Sequence, residues 1–325
     1  MTDSIRDELA GLTLALCNIP SETCHEAEIA TWVQHRCVQA AGAHAVRRIG
    51  HSVICEPWGR DARPGEPTIT LVGHLDTVKC ADDQAYAIRD GRVYGCGASD
   101  MKAGLAVMLS LLDRWRELER GRPVWIFYDG EEGPAEGNGL GPVLDSGILP
   151  PLDFAFILEP TDRGLQPGCM GLLHATVTVR GIRAHSARPW QGENALYKAI
   201  PLLQRLNGVG RREVRFGDLV FYEVIVATQA ATFNSRNVVP DVLELNLNFR
   251  FAPGNTAERA EAELRALVGD DGEVQIIDTA PAGDVHADHP LIVDWCRAEG
   301  LQVLPKPSSP AVILQALERE LRARA

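Results

Sequence analysis

Two hydrophobic patterns divide the chain. Residues 68–72, 124–128 and 153–158 are short apolar runs rich in β-branched and aromatic side chains, a pattern that predicts strands buried on both faces of a parallel sheet. Between and before them lie helical stripes. Ile5, Leu9, Leu12 and Leu16 share one face of a helix over 3–16, and Ile29, Val33 and Cys37 do so over 26–38. Leu105, Met108, Leu109, Leu112 and Trp115 form a third stripe. Residues 45–56 read as a weakly patterned strand pair, and 60–67 as a loop bearing Pro and Gly.

From about residue 170 the period changes to two. Leu173, Ala175, Val177 and Val179 alternate with His174, Thr176, Thr178 and Arg180, and Leu243, Leu245, Leu247, Phe249 and Phe251 alternate with polar residues in the same way. Such strands bury one face only. Further strands are expected at 219–228 and 273–277, and helices at 193–206, bent at Pro201, and 257–268. The fold class that follows is α/β: a mixed, mostly parallel sheet flanked by helices, formed by residues 1–169 and 281–325. Residues 170–280 form an inserted α+β domain, an antiparallel sheet with two helices on one face.

Polar chemistry begins where the buried runs stop. His74 and Asp76 end the first, Glu131 and Glu132 follow the second, and Glu159 follows the third. Asp100 precedes the third helical stripe and is expected at or near its N-cap. All then fall at the carboxyl edge of the sheet, where open α/β sheets bind ligands. Each alone has an ordinary explanation as a cap, a core histidine or solvated surface. Together they are carboxylates crowded round an imidazole, which raise one another's pKa unless a cation lies among them. Zinc suits such a mixed donor set, and one carboxylate can bridge two ions about 3.5 Å apart.

Composition narrows the field. A chain of 325 residues with 45% hydrophobic and 23% charged residues reads as soluble and globular, and a formal net charge of −12 argues against nucleic acid or anionic membranes as partners. The opening residues lack a signal-peptide pattern and no apolar run reaches membrane-spanning length, so a cytoplasmic location is the expectation. Eight cysteines without a Cys-x-x-Cys pair read as reduced thiols, Cys96 among them in a tight glycine loop. In the insert, His185 within Gly-Ile-Arg-Ala-His-Ser-Ala-Arg and Asn237 before Val-Val-Pro are the segments that look chemical.

Gly-His74-Leu-Asp76-Thr-Val, Gly-Cys-Gly-Ala-Ser-Asp100-Met-Lys-Ala-Gly, Asp-Gly-Glu131-Glu132, Glu159-Pro-Thr, Gly-Ile-Arg-Ala-His185-Ser and Asn237-Val-Val-Pro, in this order, resemble the dizinc metallopeptidases of the M20 type. The resemblance runs over about residues 5–300. Asn138-Gly-Leu after the Glu pair, and Gly-Glu-Asn-Ala after the His185 motif, favour the succinyl-diaminopimelate desuccinylase branch. It implies a zinc-peptidase-like catalytic domain, a lid that also mediates homodimerisation, and two zinc ions, for which cobalt can substitute. His74 and Glu159 resemble the ligands of one zinc, Glu132 a ligand of the other and Asp100 the bridge. Asp76 resembles the acid that orients His74. Glu131 matches the general base for the attacking water, His185 an oxyanion stabiliser reaching across a dimer, and Asn237 and Arg250 the residues that hold the substrate.

The implied activity is removal of the succinyl group from N-succinyl-diaminopimelate, in lysine and diaminopimelate biosynthesis. The alternatives are a deacylase of another N-acyl amino acid such as acetylornithine, a small-peptide carboxypeptidase, or a folded dimer with impaired catalysis. That last reading comes from a departure. The family's segment after the insert ends in a histidine that completes the second zinc, whereas here residues 304–314 run directly into a terminal helix expected over 312–321. On that reading fewer than two tightly held zinc ions are expected, with His286 and His289 the histidines left after the insert.

Overall fold

The computed structural model describes residues 3–58, 66–80, 86–117, 121–161, 165–217, 219–290 and 292–293. The chain divides into two compact units, Met1–Pro160 and Thr161–Ala325.

The first unit contains helices α1 (Asp3–Cys17) and α2 (Ala27–Ala41), then strands β1 (Val46–Ile49), β2 (Ser52–Cys55) and β3 (Thr68–His74). A hairpin of β4 (Ala87–Arg89) and β5 (Arg92–Tyr94) precedes α3 (Ala103–Asp113), followed by β6 (Arg122–Tyr128), α4 (Leu140–Asp145) and β7 (Phe154–Ile157). The five-stranded sheet runs β1-β2-β6-β3-β7. β3 is parallel to both β6 and β7, while β2 is antiparallel to its neighbours, so the sheet is mixed but mostly parallel. Alternate residues of β6 serve opposite faces. Trp125 and Phe127 pack with α1, α2 and α3, and Val124, Ile126 and Tyr128 pack with Val143 and Leu140 of α4. Cover on both faces is the reason the strand reads as an unbroken apolar run. The β4–β5 hairpin and α4 had no clear periodic signal.

The second unit contains β8 (Gly171–Arg180), β9 (Ala184–His185), α5 (Ala195–Lys198), α6 (Ile200–Val209), β10 (Arg212–Phe216) and β11 (Leu219–Ala231). β12 (Val238–Val239), β13 (Val242–Phe251), α7 (Ala257–Val268) and β14 (Glu273–Ala280) complete it. Its sheet, β10-β11-β13-β8-β14, is antiparallel throughout. Leu173, Ala175, Val177 and Val179 bury one face against α5, α6 and α7. The helix expected at 193–206 is two helices: Asn194 caps α5 by accepting from Leu196 N, and Pro201 lies in the first turn of α6, where a missing N–H costs nothing.

The insert is expected to end near residue 280, and the residues that follow run beside its entry and its core. Cys169 and Gly283 exchange both backbone hydrogen bonds, at 3.1 and 3.0 Å, and Val285 and Ala287 pack against the cluster of Leu219 and Phe221. The terminal helix expected over 312–321 lies outside the described residues. Among the described residues, no helix is long and apolar enough to cross a membrane.

Candidate metal centre

Three parallel strands end side by side, and their ends carry the site. The register sets His74 opposite Tyr128, and Leu158 N donates to Val72 O at 3.0 Å, which brings Glu159 alongside His74. α3 must approach this edge closely to deliver Asp100. Two glycines allow it: a Cβ on Gly73 would lie 2.7 Å from Met101 Cε, and one on Gly104 would lie 2.3 Å from Leu158 O.

His74 is fully buried at the centre of the cluster. Its Nε2 lies 3.1 Å from Asp100 Oδ1 and 3.8 Å from Glu159 Oε1. Two groups of donor atoms, His74 with Asp100 and Glu159 and His74 with Glu131 and Glu132, each fall within 4.8 Å of one another. The first is the set expected for one zinc. Both share the one imidazole, so the four carboxylates are gathered around His74.

Asp100 corrects an expectation. It does not cap α3; its backbone is non-helical (φ −119°, ψ 103°) within the turn Ala98–Lys102, and α3 begins at Ala103 without a side-chain cap. The carboxylate is directed to His74 instead of to the helix amides, and the helix forgoes its cap. Asp76 is also used differently from a simple partner of His74. The imidazole Nδ1 is 3.0 Å from the Asp76 main-chain oxygen and 3.4 Å from its carboxylate. That buried carboxylate accepts from Glu131 N and Glu132 N, both at 3.0 Å, and from Thr23 Oγ1 at 2.9 Å. Asp76 therefore orients the imidazole through its main-chain oxygen and its carboxylate, and that carboxylate also fixes the Glu131–Glu132 turn.

The electrostatics fit a cation-binding site. Burial pulls the His74 pKa down, but the Asp76 hydrogen bond, the Glu159 charge and the Asp100 hydrogen bond outweigh it and hold it up at about 9. Burial, then the charges of Asp100 and Glu131, push Glu132 up. Burial, then the surrounding carboxylates, push the Tyr128 phenol up as well. For Asp76, burial acts upwards but is exceeded by hydrogen bonds from His74 and from the Glu132 and Glu131 amides, so its pKa is lowered. A buried imidazole whose proton is held by three surrounding carboxylates, Asp76, Glu159 and Asp100, is a site in which a divalent ion can take that proton's place.

His185, Asn237 and Arg250 lie in the second unit. His185 pairs with Val238, and Ser186 N donates to Asn237 O at 2.8 Å, so His185 and Asn237 are brought together. Their pairing continues the β8–β13 ladder outward, through Gly181 N to Asp241 O, beyond the Arg180–Val242 end. Arg250 lies toward the other end of β13, opposite Leu172. Eight residues from Val242 correspond to roughly 27 Å at about 3.4 Å per residue.

A model of peptidase family M20/M25/M40 matches residues 70–298, from the strand that carries His74 to beyond the second sheet. The chain belongs to that family. It is by that membership a metal-dependent amide hydrolase. A relative from Mycobacterium tuberculosis (strain ATCC 25618 / H37Rv), provisionally named succinyl-diaminopimelate desuccinylase DapE, is 33% identical over 93% of this chain and 84% of its own. The succinyl-diaminopimelate desuccinylase of Corynebacterium glutamicum is 36% identical over 80% of this chain and 72% of its own. The fold is shared with the Bacillus subtilis YXEP protein, a dinuclear metal binding peptidase of the M20 family, with a TM-score of 0.66 at 17% identity over 95% of this chain and 84% of the other.

The sequence reading missed Thr23, Tyr128 and one pair of cysteines. Tyr128 had a signal, since it is the last residue of a buried strand beside His74. Thr23 had none, because it meets Asp76 across 53 positions. The reading of all eight cysteines as free thiols is wrong for two: Cys80 and Cys96 form a disulfide across 16 positions, a spacing that matches no short motif.

Proposed function

We propose that the chain is a zinc-dependent desuccinylase of N-succinyl-diaminopimelate. The observation that carries this is the gathering of Asp100, Glu131, Glu132 and Glu159 around His74 at the sheet edge, in a chain whose relatives include a named desuccinylase. His74, Asp100 and Glu159 would hold one zinc, and Glu132 the other with Asp100 as bridge. When bound, the metal supplies Lewis acidity that polarises the amide carbonyl and makes water a nucleophile near neutral pH. Glu131 takes the proton of the attacking water and returns it to the leaving amine. Asp76 keeps Glu131 in position through its amide, and His185 stabilises the oxyanion.

Asn237 and Arg250 hold the substrate, and their separation, with most of β13 between them, supports a homodimer. A small N-acyl amino acid does not span roughly 27 Å, so these residues serve one site only if two copies contribute. Zinc content should be measured together with hydrolysis of succinyl-diaminopimelate, acetylornithine and a dipeptide. Preference for the first by kcat/KM is expected; preference for either of the others reassigns the acyl group. Mixing His185→Ala with Glu131→Gln chains should regain activity, and no recovery after confirmed subunit exchange would remove the shared site.

A further inference from the structure

The Cys80–Cys96 disulfide has no part in the chemistry above, yet it joins the two loops that carry it. Cys80 lies four residues after Asp76, and Cys96 four residues before Asp100. We propose that this disulfide is a positioning clamp for Asp100: closed, it holds the carboxylate in place for the metal, and opened, it weakens metal binding. The proposal rests on the metal-centre reading.

Asp100 needs such support. Its side chain is 55% exposed, and the hydrogen bond it makes is to His74 Nε2, so its position comes from the backbone of its own turn. That backbone is outside α3 and departs from helical geometry at Asp100 and Met101, although Lys102 N to Gly97 O and Ala103 N to Ala98 O bond across it. Lys102 N donates to Gly97 O at 2.8 Å and ties the two ends of the turn to each other, and the far end is anchored by the buried Lys102 Nζ, which donates to Ile19 O at 3.2 Å. The near end has a local bond, Ala98 N to Gly95 O at 3.1 Å, and the disulfide.

The other half of the clamp is well anchored. Cys80 N donates to Glu22 Oε1 at 3.2 Å, and Thr77 N donates to Ser21 O at 2.9 Å. The two loops touch here, since a Cβ on Gly97 would lie 2.3 Å from Thr77 Cγ2. Closing the bond removes loop conformations in which Asp100 swings away from His74. Opening it adds two electrons and two protons to give two thiols. A phosphine and one water molecule supply them, the phosphine leaving as its oxide.

The test is zinc affinity, measured by chelator competition on the full chain. It compares chain oxidised in a glutathione disulfide buffer, chain reduced with a phosphine that is then removed under argon, and the Cys80→Ser and Cys96→Ser variants. Reduced chain and both variants should bind zinc 10- to 100-fold more weakly, the range for losing a group that orients a ligand. Cys169→Ser, which changes a free cysteine of the second unit, should bind as the oxidised chain does. In an Asp100→Asn background the effect of the redox state should disappear, because the clamp acts through that carboxylate. Equal affinity in both redox states, an undiminished difference with Asp100→Asn, or failure of the bond to form on oxidation would overturn the proposal. No zinc binding in either state would instead remove the metal centre, and the clamp with it.

Discussion

β6 of the first unit buries six residues in succession, whereas β13 of the second alternates buried and partly buried positions along its length, with one exposed residue, Arg250. The first sheet has helices on both faces, and its three parallel strands carry no charged side chain between their ends. His74, Glu131, Glu132 and Glu159 are at those ends, and parallel strands gather their ends at one edge. The second sheet has helices on one face, and His174, Thr176, Asn246 and Asn248 occupy the other. Its polar residues are therefore spread along the strands, and His185 and Arg250 fall toward opposite ends. Cover on both faces concentrates chemistry, and cover on one face distributes it.

The largest effect should come from the first sheet's edge. Glu131→Gln is expected to lower turnover by roughly 10²- to 10⁴-fold, the usual cost of removing a general base, with bound zinc unchanged. Turnover close to normal would move the base to another carboxylate of the cluster.

Next is the double cover itself. Phe127 is fully buried among α-helical and strand neighbours, so Phe127→Ala should cost about 3–5 kcal/mol, read as a lower urea midpoint for the first unit. A loss below about 1 kcal/mol would mean that this face is looser than its packing indicates.

Zinc affinity should depend on pH with a definite sign. His74 holds its proton up to about 9, and a metal must displace it. Affinity should therefore rise with pH, approaching about tenfold per unit between pH 6 and 8 for one proton released. A flat profile would take His74 out of the ligand set. The smallest effect belongs to the second sheet's polar face: Thr176→Ala should change stability by no more than about 0.5 kcal/mol.

The residues that gather at the candidate metal centre could be read from the sequence because burial writes itself into short-range pattern. Runs such as 124–128 end where polar groups start, and that boundary alone assigned His74, Glu131, Glu132 and Glu159 to one edge. The alternation of 173–179 and 243–251 likewise gave the second sheet and its single covered face. Tertiary structure decided what depends on neighbours distant in sequence. It took the Asp100 carboxylate from a helix cap to His74, gave the Asp76 side chain to the Glu131 and Glu132 amides and Thr23, and closed Cys80 on Cys96. It also separated Arg250 from Asn237 toward opposite ends of a long ladder. Periodicity reports how much of a side chain is covered, because cover repeats with the local backbone; which atom it meets is set by how separate elements stack, and no short stretch of sequence contains that.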